Sequence, residues 1–310
     1  MNRFNKILVV IDSLADAEAA LSRAKTLAQL NHSPLDVLMP VYEPSLELSS
    51  LFSAEKRAEM RERYVAERLQ ALEALVDGLR SQGFTSDARV DWDAHLFMPV
   101  IRAVVKNGYD LVVKAAKEHS KLASFFYTPT DWHLLRKCPC PVLMVKGTDL
   151  PKGCKIVAAV EPVATDEDHQ ELNQEILQMG RQLADSLSAE LHVINAFSVI
   201  PVGTAFDGTG IYHEDYVNSV RELHQQKLHD LVRPLDLPHG RVHLQQGAPA
   251  DVIQDFVNET GARLVIIGTL ARSGVAGIFI GNTAEGVLDE LSCDVMTVKQ
   301  PGYVTPVDVG

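Results

Sequence analysis

Short aliphatic runs alternate with longer amphipathic stretches along the whole chain, the pattern of parallel strands joined by crossover helices. In the first half the pattern predicts strands at Lys6–Ile11, Leu35–Tyr42, Ala88–Asp91, Leu111–Lys114 and Val142–Val145. Helices are predicted over Asp16–Asn31, Ser53–Ser81, Met98–Asn107 and Thr130–Lys137. Met60, Tyr64, Val65, Leu69, Leu72, Val76 and Leu79 keep one apolar face on the long, otherwise charged second helix, which places it on the surface. The second half repeats the scheme, with strands near Lys155–Val160, Glu190–Phe197, Val242–Gln245, Arg263–Gly268 and Asp294–Val298.

The repetition holds at the level of residues. Ile7–Asp12 pairs with Ile156–Glu161, Leu35–Leu38 with Leu191–Ile194, Val112 with Val265 and Cys140 with Cys293. A shift near 150 residues, sustained through most strand segments, marks an internal duplication. The expected organisation is a domain over 1–148, a polar linker Gly147–Gly153 broken by Pro and Gly, and a second domain over 154–300. The tail 301–310 carries two prolines and no periodicity, and is expected to be a strap or disordered.

Composition narrows the class. The 310 residues suit two domains with ample core, and a net charge of −12 argues against a dedicated nucleic-acid or acidic-membrane binder. No apolar run is long enough to span a bilayer, and Asn2–Lys6 leads directly into a strand without a signal-peptide pattern. Four cysteines without framework spacing fit a reducing cytosol, so a cytoplasmic location is expected.

Two segments are the most specific: Thr128-Pro-Thr-Asp-Trp-His-Leu-Leu-Arg-Lys-Cys-Pro and Phe279-Ile-Gly-Asn-Thr-Ala-Glu. They resemble the universal stress protein family, in its tandem form, and the resemblance covers almost the whole chain. It implies an α/β fold of two tandem copies of an open, five-stranded, mostly parallel sheet with helices on both faces, of the adenine nucleotide alpha hydrolase-like type. The copies are expected to pack as an internal pseudo-dimer, with Val142–Val145 and Val295–Val298 buried together about a pseudo-twofold axis.

The resemblance also implies an ATP signature, Gly-x-x-Gly, nine residues, then Gly-(Ser/Thr). Backbone N–H groups at such a loop hold phosphate, and glycine permits close approach. Here Gly268 and Gly281 keep two signature glycines, Ala271 replaces the middle one, and Asn282 replaces the Ser/Thr. The candidate nucleotide contacts are therefore Glu161, Ala196, Gly268, Ala271, Arg272, Gly281, Asn282 and Thr283. Two readings stand: a weakened ATP pocket, or an inherited loop in which glycine serves only the turn. In the first half Ala115, Glu118, Thr128 and Pro129 take these positions, and a carboxylate and a missing N–H disfavour a triphosphate there. Any ATP is thus expected to bind weakly and in the second domain only.

Asp12 ends the first strand where the family places an acidic residue near ribose or adenine; the reading favoured on chemistry is a cap on the following helix. His133, Cys138 and Cys140 invite a metal reading, but their spacing is wrong for zinc and no metal is expected. The apolar segments Val41–Phe52 and Phe197–Phe206 leave the strand ends where open α/β sheets bind ligands; they roof an apolar ligand or pack between the repeats. The resemblance implies a non-catalytic protein serving survival of starvation, oxidative or DNA-damaging stress through a small-molecule ligand or a partner. Alternatives are an ATP-binding switch with slow hydrolysis in the second domain, and a carrier or sensor of an apolar, lipid-like ligand. Neither nucleic acid nor membrane insertion is expected; assembly is the internal pseudo-dimer, with a homo-oligomer also compatible.

Overall fold

The aliphatic runs of the first half become β1 (Ile7–Val10), β2 (Leu35–Val41), β3 (Ala88–Trp92), β4 (Leu111–Ala115) and β7 (Val142–Val145). The computed structural model describes residues 4–48, 52–119, 124–147, 149–198, 211–269, 288 and 291–309. The chain divides into two units, residues 1–147 with 304–310, and residues 148–303. In the first unit the strands run parallel in the order β7-β4-β1-β2-β3. Apart from the edge strand β3, where only Val90 is buried, their residues are buried almost without interruption, as expected of a parallel sheet covered on both faces.

The crossovers are α1 (Ala17–Asn31), α3 (Ala54–Ser81), α4 (Phe97–Asn107) and α5 (Pro129–Lys137), with a short α2 (Pro44–Leu48) before α3. Right-handed crossovers put α1 and α3 on one face and α4 and α5 on the other, where the last two pack together. The strand order therefore reverses between β1 and β4, the point at which such sheets open a ligand crevice. On α3 only Leu72, Val76 and Leu79 are buried, while Met60, Tyr64, Val65 and Leu69 are half-buried. Ser53 caps it by accepting the Lys56 N–H. Between β4 and α5, where the sequence predicts a turn-rich loop, the chain forms an antiparallel pair, β5 (Lys117–His119) with β6 (Ser124–Phe126).

The second unit repeats the plan with β8 (Lys155–Ala159), β9 (Glu190–Phe197), β10 (Val242–Gln246), β11 (Leu264–Gly268) and β12 (Asp294–Val298). These strands are parallel in the order β10-β9-β8-β11-β12. Its described helices are α6 (Glu167–Leu187), α7 (Ile211–Val232) and α8 (Pro249–Thr260). The equivalent helices α4 and α8 both end on a left-handed glycine, Gly108 and Gly261, whose N–H returns to the carbonyl of Val104 or Val257.

One packing detail of this unit titrates. His192 Nδ1 lies 3.0 Å from His243 Nε2, and both rings pack against Phe256 of α8. Burial pushes both imidazoles below the ordinary histidine range; Lys155 and Arg241 add to this at His192, Glu190 opposes it there, and His192 lowers His243 further. A base whose folded value is depressed binds fewer protons folded than unfolded. Its contribution to stability is therefore whole above pH 6.5 and is lost as pH falls through the depressed folded value. Unfolding in urea between pH 7 and 4 should show a falling limb that is shallower in a His192→Leu, His243→Leu variant. Identical limbs would mean that the pair carries none of the acid sensitivity.

Candidate functional site

The crevice of the first unit is filled by its own side chains. Lys114, the fourth residue of β4, is only 1% exposed and places its Nζ 2.8 Å from Asp12 Oδ2 and 2.9 Å from Asp131 Oδ1. Burial alone would lower this ammonium, but Asp131 and Asp12 together outweigh it and hold the group above the ordinary lysine value. Attraction between opposite charges is the larger part of the Asp131 contact. Asp12 thus departs from the cap reading: its Oδ2 faces the Lys114 ammonium, with Lys117 Nζ 3.7 Å away. A buried cation at the switch point recruits the nearest carboxylate, and no local rule about helix starts anticipates that.

Asp131 has a second task. It is the third residue of α5, and its Oδ2 accepts the Thr128 N–H at 2.7 Å and the Thr128 hydroxyl at 2.8 Å. Thr128 Oγ1 in turn accepts the Asp131 N–H at 3.3 Å, completing a capping box, with Pro129 in the first turn where its missing N–H is harmless. The start of α5 therefore holds an internal carboxylate on its own capping N–H.

The second unit is built differently at the same place. Glu161 follows β8 with its side chain 70% exposed, and Asn173 of α6 clamps its backbone by accepting its N–H and donating to its carbonyl, both at 2.9 Å. Gly268 ends β11 at the matching strand end, so the switch point lies between Glu161 and Gly268, and Thr269 follows. A Cβ on Gly268 would meet Leu172 Cδ2 at 2.4 Å and Cγ at 2.6 Å, so packing against α6 already demands glycine here. Ala196 lies near the end of β9, half-buried, beside Asn195. Ala271, Arg272, Gly281, Asn282 and Thr283 lie outside the described residues, as does the Phe197–Phe206 segment beyond Ser198.

Asn195, His224, Lys299 and Thr269, none of them among the candidate contacts read from the sequence, join this edge. Asn195 donates through Nδ2 to the Val160 carbonyl at 2.9 Å, which leaves Oδ1 to accept from His224 Nδ1 at 2.8 Å. The His224 proton is thereby fixed on Nδ1, and in the neutral ring Nε2 is an acceptor. Burial lowers this imidazole's pKa, while Glu161 pulls the other way. Lys299, 8% exposed, donates to Thr269 Oγ1 and lies under the Tyr303 ring at 5.3 Å. Lys146 holds the equivalent place in the first unit, 4.9 Å from the Tyr127 ring. The visible signal was an asparagine inside an apolar strand, and a lysine ending the last strand of both repeats.

His133 and the two nearby thiols do not converge. The His133 ring stacks on Phe97 with centroids 4.2 Å apart, while Cys138 and Cys140 are buried with sulfurs 3.6 Å from each other. The contact with Cys138, reinforced by burial, pushes the Cys140 thiol well above its usual value. Among the described residues no group of three or more His, Cys, Asp or Glu is placed to hold a metal, and no helix is long and apolar enough to cross a membrane.

The family model described as "Universal stress protein family" matches residues 3–146 and again 163–299. The chain belongs to the universal stress protein family. Universal stress protein E of Escherichia coli K12 is 33% identical over 310 residues, covering 100% of this chain and 98% of the relative. A crystal structure of a functionally unknown protein from Pseudomonas aeruginosa PAO1 superposes with TM-score 0.74 at 28% identity, covering 96% of this chain and 93% of that one. A universal stress protein from Archaeoglobus fulgidus shares the fold at TM-score 0.58 and 15% identity, with 96% and 98% covered. Both tandem universal stress domains and the mostly parallel α/β fold expected from the sequence are thus present, and the relatives support a role in the stress response.

Proposed function

We propose that the chain is a non-catalytic, cytoplasmic stress-response protein that senses a small-molecule ligand through its second unit. The observation that carries this reading is the asymmetry of the two switch points. In the first unit Asp12 and Asp131 both engage the Lys114 ammonium, and Asp131 occupies the N-terminus of α5. In the second unit the same position offers an exposed Glu161 carboxylate, with His224 and Lys299 near the strand ends. A phosphate approaching the first unit would meet a carboxylate already bonded to the donors it needs. Nucleotide is therefore confined to the second unit, where Ala271 in place of glycine keeps affinity for ATP low. Survival of starvation, oxidative or DNA-damaging stress is the setting in which such a sensor serves.

Titration calorimetry with ATP should give at most one weak site. Gly281→Asp should abolish that heat by setting a carboxylate against the phosphates, while Thr128→Asp, which retains a helix-capping side chain, should leave it unchanged. Tight binding at two sites would overturn the proposal.

A further inference from the structure

The two units diverge at a second place, remote from the switch point. Strand register makes Asp36 equivalent to His192 and Arg89 equivalent to His243, because Val37 faces Ala88 as Val193 faces Val242. The glycine caps of α4 and α8 make Ala103 equivalent to Phe256. In the second unit the hollow between helix and sheet is plugged by rings. The two imidazoles lie 19° from parallel with centroids 5.3 Å apart, and Phe256 packs 4.5 Å from His243 and 5.9 Å from His192.

In the first unit Asp36, Arg89 and Ala103 stand in place of those three rings, and the Tyr109 ring lines one side of the hollow. A cavity of about 290 Å³ opens there, over a floor that includes Leu8, Leu38 and Ala103. Its rim is polar and already oriented. Asp36, buried, accepts the Tyr109 hydroxyl at 2.6 Å and the Asp87 N–H at 2.9 Å, and lies 3.4 Å from Lys6 Nζ. Arg89 also lines the cavity, its guanidinium held by Asp91 at 2.7 and 2.9 Å. Lys6 precedes β1, Asp36 opens β2, Arg89 lies early in β3 and Tyr109 precedes β4. The cavity is therefore at the amino ends of the strands, opposite the first unit's own switch-point crevice, and does not depend on the nucleotide site proposed for the second unit.

We propose that this cavity is a binding site for a small, planar, nitrogen-containing aromatic molecule carrying an N–H donor. Three features select that chemistry. The equivalent volume in the sister unit is filled by one phenyl and two imidazole rings, so the space suits flat rings. The floor is apolar, and Asp36 accepts hydrogen bonds from the rim. Anionic ligands are disfavoured, because Asp36 and Asp87 line the site and its two cations are already paired, Lys6 with Asp36 and Arg89 with Asp91.

The test uses benzimidazole, which fuses the two ring types of the natural plug, and benzoate, a similarly compact anion, both with the full chain. Saturation-transfer NMR and calorimetry should detect benzimidazole and not benzoate. Ala103→Phe, which recreates the wall of the sister unit, should weaken benzimidazole by about tenfold or more. Ala103→Leu, a smaller intrusion, gives the same readout should the phenylalanine variant fail to fold. No benzimidazole binding by the parent chain would overturn the proposal. So would unchanged binding in a folded Ala103 variant, or benzoate binding as well as benzimidazole.

Discussion

Lys114→Met should lower the unfolding free energy by about 3–5 kcal/mol, the usual consequence of removing one partner from a buried charge cluster. The reason is asymmetric. The methionine fills much of the lysine volume, so little packing is lost, but Asp131 at 0% exposure and Asp12 at 19% lose the cation between them. Desolvated carboxylates without a counter-ion are far more costly than the apolar side chain is favourable. Lys114→Met combined with Asp12→Asn and Asp131→Asn should recover most of the loss, since asparagine still caps α5 and no net charge remains buried. Urea denaturation of the single and triple variants measures both. A single-variant loss below about 1 kcal/mol would show that water or Lys117 compensates the carboxylates. In the parent chain the raised lysine value means that the lysine's contribution is whole below about pH 10.5, wherever Asp12 and Asp131 are ionised, and is lost as pH rises through the raised folded value.

How far the sequence reached can be judged from this cluster. The strands were legible because a parallel sheet buried on both faces needs aliphatic runs, and β1, β7 and β11 are unbroken ones. The duplication was legible because the offset held across strands. Lys114 was also visible, a lysine inside Leu-Val-Val-Lys-Ala, yet its partners are distant in sequence and only the switch-point geometry joins them. Asp12 was read as a cap because capping is a local rule, whereas its actual partner is set by topology. The antiparallel pair β5–β6 carried no periodicity long enough to register. The Ala103–Phe256 difference was equally invisible until helix caps and strand register fixed which residues correspond. Asn195 and His224 gave a weaker sign, one polar residue in an apolar strand, and the link between them depends on α7 crossing β9.

Gly268 carries two readings, one from the sequence and one from the packing, and a double-mutant cycle separates them. Read as part of a phosphate loop, Gly268 is glycine so that a ligand can approach. Read from the fold, it is glycine because Leu172 of α6 lies where a Cβ would be. Its backbone is ordinary strand, so alanine is conformationally acceptable there and only the clash counts. Gly268→Ala should therefore cost about 1–3 kcal/mol without any ligand present, as overpacking does. Leu172→Ala alone should cost about 2–5 kcal/mol by opening a cavity. The double variant should lose less than the sum by about 0.5–3 kcal/mol, because the new methyl enters the space the leucine vacated. If Gly268→Ala instead leaves stability untouched and only abolishes ATP heat, the glycine serves the ligand and the packing argument fails. If the coupling appears and ATP binding survives in the double variant, Gly268 is a residue of the core, and the phosphate loop begins beyond it.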